Sequence, residues 1–305
     1  MTLRTASAGL FVVGVAVGTL ADRTPPKAPL VRGGYQVLAV DLHVHSFLGD
    51  GVLLPWDLAR EAGRRGLDAF AITNHSQVLV AKVGRWLSRF TGGPTILVGE
   101  EVTAPGYHLI AVGIEEKVSW RQPVARAIED VHAQGGVAIA AHPLARFWPA
   151  FDAAALRSLD GAEVMHPVAY SGPEKAEELR AFYRSGDAGG RGLAPIGSSD
   201  HHVLNGLGLC RTYVFARDRS AAAIVDAVRD HRTVVYDPEG KAYGDPALVE
   251  LLKDVATTLG PGDYGRLPDA SGLEWITRTA AWFGLLGLVF FVGSGAPESG
   301  AVDSP

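Results

Sequence analysis

The sequence predicts an α/β fold built on a parallel sheet, open or closed. Two observations carry this expectation. Between about residues 35 and 245, short apolar runs alternate with amphipathic stretches, as strands alternate with helices. Histidines and carboxylates then fall where apolar runs end, in DLHVHS, TNHS, GEEVT, AHP and GSSDHH. In α/β barrels chemistry gathers at the carboxyl ends of strands, whose loops open on one face.

From the N-terminus, residues 5–21 carry no charge and follow Arg4. They read as a signal peptide or as an uncleaved N-terminal membrane anchor. The Pro-rich stretch DRTPPKAP then separates 1–34 from a domain expected over 35–250. Strands are expected at 36–41, 69–73, 95–98, 108–112, 137–140, 162–165, 194–197, 212–215 and 233–235. Helices are expected at 55–65, 80–90, 123–133, 153–158, 173–185 and 220–230. Pro55, Pro123 and Pro173 suit a first helical turn, where a missing N–H costs nothing. Gly66 and Gly135 suit helix stops. Residues 251–274 include GPGDYGRLPDASG and read as a linker. Residues 279–297 are uncharged, and about 20 helical residues cross a hydrocarbon core. A transmembrane helix is therefore expected over 275–297, with Trp275 and Trp282 at an interface, before a short tail at 298–305. Membrane association through these apolar ends follows, the side of the domain being set by whether the first segment is cleaved.

Composition narrows the function. Apolar residues make up 47% and charged residues 20% of 305, enough apolar side chains for a packed core. The net charge of -5, with no basic stripe, argues against nucleic acid as a partner. One cysteine, Cys210, excludes an internal disulfide framework and a cysteine-based zinc site.

The candidate ligands begin with His43 and His45, two residues apart and so on one face of a strand. Asp41 shares that face and reads as an acceptor that orients an imidazole. Asp50 follows on a loop. His75 comes straight off a strand, Glu100 and Glu101 compete for one role, and His108 begins a strand. His142 abruptly ends the apolar run VAIAA. Ser199-Asp200-His201-His202 adds a carboxylate and two imidazoles. Such a donor set suits Zn, Mn, Fe or similar divalent ions.

These ordered motifs resemble those of the PHP (polymerase and histidinol phosphatase) superfamily over roughly residues 35–240. The stretch AIVDAVRDHRTVVYDPEGKAYGDP is similar to the stand-alone CehA/McbA-type members. The resemblance implies a distorted seven-stranded β/α barrel holding two or three divalent ions. It implies that His43, His45, Glu101 and Asp200 hold one ion, that Glu101 bridges to a second held by His108 and His142, and that Asp50, His75 and His202 hold a third. The family pattern prefers Glu101 to Glu100. Asn74 stands where the family has Asp, which would hold the His75 tautomer less firmly.

The expected chemistry is hydrolysis by a metal-bridging hydroxide with no protein nucleophile, on a small phosphorylated substrate. An ester, amide or carbamate hydrolase with the same ions is the alternative, and a catalytically silent membrane-associated binding protein is the reading from another class. Arg146, His166 and His201 are candidate substrate contacts.

Overall fold

The computed structural model describes residues 2–21, 28–186, 192–203, 206–254 and 272–292. The chain divides into two compact units, one made of both termini and the other spanning Thr24–Arg266.

In the larger unit the described residues form an eleven-stranded sheet. Its strands are β1 (Leu30–Arg32), β2 (Tyr35–Val44), β3 (Ala69–Ile72), β4 (Thr95–Ala104), β5 (Tyr107–Val112), β6 (Val137–Ala140), β7 (Gly161–Met165), β8 (Ala194–Gly197), β9 (Thr212–Ala216), β10 (Thr233–Tyr236) and β11 (Ala242–Gly244). Their order is β11-β10-β9-β2-β3-β4-β5-β6-β7-β8, with β1 added to β2. The ends of this order meet. β8 lies against β10, and Gly197 exchanges hydrogen bonds with the Thr212 hydroxyl at 2.9 and 3.0 Å. The result is the expected distorted β/α barrel, with more strands than seven. Two of the added strands, β1 and β11, are three residues long, too short to show periodicity.

The sheet is mixed rather than parallel. Strands β2–β3–β4 and β6–β7–β8 run parallel, but β5 is antiparallel to both β4 and β6, and β9 is antiparallel to β2. The reason lies in the connection. Ala104 pairs with Tyr107, so only Pro105-Gly106 joins β4 to β5, and a parallel crossover needs a dozen residues or more.

Helices pack around the sheet: α2 (Pro55–Arg64), α3 (Leu79–Thr91), α4 (Val124–Ala133), α5 (Ala153–Ser158), α6 (Pro173–Ser185), α7 (Ala221–Arg229) and α8 (Pro246–Glu250). Pro55 and Pro173 occupy first turns as expected, while Pro123 is the residue before α4. Gly66 and Gly135 follow their helices at φ 70° and 79°, a conformation that costs glycine little. The barrel interior is filled by Leu38, Leu97, Ile110, Ile139, Ile196 and Val214, with Ile224, Val225 and Val228 of α7 in the same cluster. A Cβ on Gly113, at the end of reversed β5, would lie 2.7 Å from Val225. So α7 plugs the end where β6 begins and leaves the other end to polar side chains.

The smaller unit pairs α1 (Leu3–Ala21) with the C-terminal helix α9 (Gly272–Val292). A Cβ on Gly14 would lie 2.7 Å from Ala281 N, and one on Gly284 2.4 Å from Phe11 N, so the two backbones touch through glycine. Both terminal segments are thus helical, but among the described residues no helix is long and apolar enough to cross a membrane. The transmembrane helix expected over 275–297 therefore finds no support among the described residues, where helix α9 takes in Glu274 and Arg278 ahead of the uncharged residues 279–292. Residues 22–27 of the Pro-rich stretch, 255–271 of the linker, the run beyond Val292 and the tail lie outside the described residues.

Candidate metal centre

Strand β2 delivers His43 and His45 fully buried at its carboxyl end. The Nε2 atoms of the two rings stand 3.0 Å apart, 3.1 and 3.2 Å from Asp200 Oδ1, and each 3.4 Å from Glu101 Oε2. Asp200 sits just past β8 with φ 47°, a left-handed conformation that turns its carboxylate inward. Its Oδ1 is buried and makes no well-aligned hydrogen bond.

Glu101 stands at the middle of the cluster. It lies on β4, is 1% exposed, and uses both oxygens. Oε1 faces His108 Nδ1 at 2.8 Å and His142 Nε2 at 3.2 Å, and Oε2 faces His75 Nδ1 at 3.0 Å. His142 follows β6 with φ 28°. At the mouth, Asp50 joins His45 Nδ1 at 2.9 Å, His75 Nε2 at 3.0 Å and His202 Nε2 at 3.0 Å.

All nine ligand candidates therefore come together, in three groups of convergent donor atoms: His43, His45, Glu101 and Asp200; Glu101, His108 and His142; and His45, Asp50, His75 and His202. Each group is imidazole nitrogen and carboxylate oxygen, the donor chemistry of a divalent transition ion. Asp200 Oδ1, buried beside two imidazole nitrogens without a well-aligned hydrogen bond, fits such an ion, because a cation would satisfy an oxygen that no aligned donor does.

The electrostatics agree with that fit. Burial alone would lower the His43 pKa, yet Asp200, Glu163 and Glu101 raise it well above the usual imidazole range. His45, likewise opposed by burial, is raised to about 10 by Asp200, Asp50 and Glu101. Asp200 and Glu101, whose burial acts the other way, are held well below the usual carboxylate range by the imidazoles around them. Burial lowers His142, leaving it neutral and able to offer a lone pair. Without metal, protons neutralise the carboxylate cluster, and a cation would displace them.

Sequence reasoning overlooked one residue of this centre. Glu163, on β7 and fully buried, accepts from His43 Nδ1 at 3.0 Å and from the backbone N–H of His142. The signal was present, since a carboxylate in the middle of a wholly buried strand needs partners.

The neighbouring residues differ from expectation in three places. Asp41 orients no imidazole; it accepts from Ser199 N at 3.0 Å, Ser199 Oγ at 2.5 Å and Gly208 N at 2.8 Å, and so pins the loop that carries Asp200. Asn74 does not steer His75. It accepts from Ser46 N at 2.7 Å and donates to Ser46 Oγ at 2.8 Å, while His75 is held by Glu101, Asp50 and Thr103. Glu100 points away from the cluster, accepts from Val118 N, and burial pushes its pKa up to about 7.

Of the candidate substrate contacts, His166 is buried with Nδ1 accepting from Val168 N at 3.1 Å. Its proton therefore sits on Nε2, 3.2 Å from Asp200 Oδ2. His201 has a buried side chain, and its carbonyl accepts from His45 N at 2.9 Å. Arg146 is exposed, its guanidinium 4.6 Å from the Phe147 ring, which stands 4.7 Å from the His108 ring.

A family model described as PHP-associated matches residues 188–233, the stretch carrying Asp200 and His202. An uncharacterised protein of Methanocaldococcus jannaschii is 27% identical over 141 residues, covering 42% of this chain and 82% of that protein. A solved two-domain protein from Bacteroides vulgatus, described as containing a predicted PHP-like metal-dependent phosphoesterase, is similar with a TM-score of 0.59 and 22% identity. The likeness covers 76% of this chain and 74% of that one and shows a shared fold. Matched segment and fold together bear out the resemblance to the PHP superfamily, without distinguishing the CehA/McbA type.

Proposed function

We propose that the chain is a metal-dependent hydrolase, and within that class a phosphoesterase acting on a small phosphorylated compound. The observation that carries this reading is Glu101, a single buried carboxylate facing five imidazoles and joining the ligand groups. Two or three divalent ions, Zn, Mn or Fe, would be held by those groups and supply Lewis acidity and a water made nucleophilic near neutral pH.

The chain's own side chains do the rest. Glu163 fixes the proton of His43 on Nδ1, so that Nε2 offers its lone pair to the centre. His166, its tautomer locked by Val168 N–H, holds Asp200 by the oxygen turned away from His43. Asp50 and His202, at the mouth, meet substrate first. Arg146, stacked on Phe147 beside His108, places a cation where a phosphate oxygen can reach it. No serine in the centre has the base it would need as a nucleophile, since Ser199 Oγ donates to Asp41 and Ser46 Oγ to Asn74.

Among the described residues Arg146 is the one cation assigned a substrate contact, and that favours a second reading, an ester, amide or carbamate hydrolase using the same ligands. The test is elemental analysis of the purified full chain and of His43→Ala. Both are then assayed with Mn or Zn on phosphate monoesters, phosphodiesters and aryl esters. Phosphoester turnover that falls with metal content in His43→Ala is the expected result. Turnover of aryl esters alone selects the second reading. A chain that neither holds metal nor turns over any substrate after loading overturns both and leaves a silent binding protein.

A further inference from the structure

Helix α3 has three faces, and only two are accounted for. Val80, Ala81 and Gly84 pack inward. Lys82 and Arg85 form one edge, ion-paired with Glu116 and Glu115. The third face carries Leu79, Val83, Trp86 and Phe90, at 68, 43, 56 and 68% exposure. Their spacing of four, three and four residues puts them in one stripe along the helix. The Trp86 and Phe90 rings meet edge to face at 5.2 Å, an aromatic pair formed in the open.

The stripe starts at the mouth of the metal centre. Leu79 lies four residues beyond His75, and Gln77 Nε2 donates to Leu48 O at 3.0 Å. Leu48 is 70% exposed and held at φ 73°, an uncommon conformation for a branched side chain, in the loop that carries Asp50. Val52, in the same loop, and Val203, beside His202, are exposed as well. Helix and mouth loop thus form one apolar shelf.

We propose that this shelf seats on a lipid bilayer surface bearing anionic headgroups. Lys82, Arg85 and Arg89 are the only charged residues of α3, and it has no acid. Large apolar side chains beside lysine and arginine are the composition of helices that lie in a membrane interface, a placement that requires no crossing. Glu115 and Glu116 offset part of the positive charge, so apolar insertion supplies most of the attraction. A second copy of the chain is the competing occupant, since Leu48, Val52 and Val203 extend the stripe toward the roughly 800 Å² per partner of a stable pair. The charge pattern favours lipid over it, because antiparallel pairing of two α3 helices about a two-fold axis would set Arg89 and its basic neighbours against their own copies.

Seating on lipid would present the mouth of the metal centre to headgroups. The inference does not depend on the reaction, and neither does its test. A nitrobenzoxadiazole label is attached at Val83→Cys in the full chain, the native Cys210 being buried. Its emission should shift to the blue on phosphatidylcholine–phosphatidylglycerol vesicles, more than on phosphatidylcholine alone. A label at Lys175→Cys on α6, which packs on β7 well along the sheet from α3, should not shift. Adding Trp86→Asp and Phe90→Asp should weaken the shift about tenfold or more in lipid concentration. Three outcomes overturn the proposal: no shift with vesicles, a shift unaltered by the two substitutions, or a shift without lipid that grows with protein concentration, which marks self-association.

Discussion

Replacing Glu163 with glutamine should cost the centre one to two decades of metal affinity while leaving the barrel folded. An ionised carboxylate only accepts, so Glu163 obliges His43 to carry its proton on Nδ1, 3.0 Å away. Burial opposes the charge on Glu163, but His43 and His166 hold its pKa below the usual range, so it is ionised at neutral pH. In Glu163→Gln the amide oxygen can still accept from His142 N–H. The amide N–H₂ then faces His43 Nδ1, donor against donor. Either that hydrogen bond is lost, or His43 moves its proton to Nε2, the nitrogen turned toward Asp200 and His45. A hydrogen bond to a charged group contributes about 1.5–3 kcal/mol, and 1.4 kcal/mol is about tenfold in binding. The loss is therefore about 10- to 100-fold for the ion nearest His43, in line with other residues that orient ligand histidines. Chelator competition on the full chain measures the affinity, and nitrogen NMR of the His43 ring in the zinc-loaded protein reads the tautomer. Thermal melting of the metal-free protein separates a folding defect from a ligand defect. An affinity within about threefold of the wild type, under 1 kcal/mol, would refute the assignment.

Two further expectations follow from the same centre. In the metal-free chain His45 titrates at about 10, so its contribution to stability is complete below about 6.5 and is lost as pH rises through about 10. The melting temperature of the chelator-treated chain should fall from pH 7 to pH 10. The metal-loaded chain should not follow, and calorimetry in buffers of different ionisation heat should record proton release on loading. A Cβ on Gly51 would lie 2.3 Å from His45 O, so Gly51→Ala must displace the Asp50 loop. Metal analysis should show that variant losing the ion at the mouth while Glu101, His108 and His142 keep theirs; unchanged stoichiometry would count against a mouth site.

The convergence of the candidate ligands was legible because its logic is local. An imidazole or carboxylate that abruptly ends an apolar strand is visible in the sequence, and His43, His75, His142 and Asp200 all have that setting. Glu163 was not found because it interrupts a strand rather than ending one, and its partners lie 120 and 21 residues away. Asp41 was seen, but its partners at 199 and 208 belong to a loop whose return to β2 no periodicity announces. The terminal helices were foreseen as apolar segments. The expected span began at Trp275 and already held Arg278, whereas α9 starts at Gly272 and takes in Glu274 as well. The exposed stripe of α3 has ordinary helical periodicity, and only the burial of the opposite face shows that the apolar side is turned outward.

The departure from a parallel sheet has a functional consequence. His108 begins its strand, and in an all-parallel barrel the first residue of a strand lies at the end opposite the chemistry. Here Pro105-Gly106 reverses the chain, so the beginning of β5 lies level with the carboxyl ends of β4 and β6. Thr103 pairs with His108 and Glu101 with Ile110, which makes Glu101 and His108 diagonal neighbours, and such neighbours are within side-chain reach across a sheet. The 2.8 Å contact between His108 Nδ1 and Glu101 Oε1 is the outcome. The two-residue turn therefore does what a crossover helix could not. It lets a strand bring a candidate ligand to the cluster from its first residues, and it gives Glu101 the imidazole that, with His142, completes the second group of convergent donor atoms.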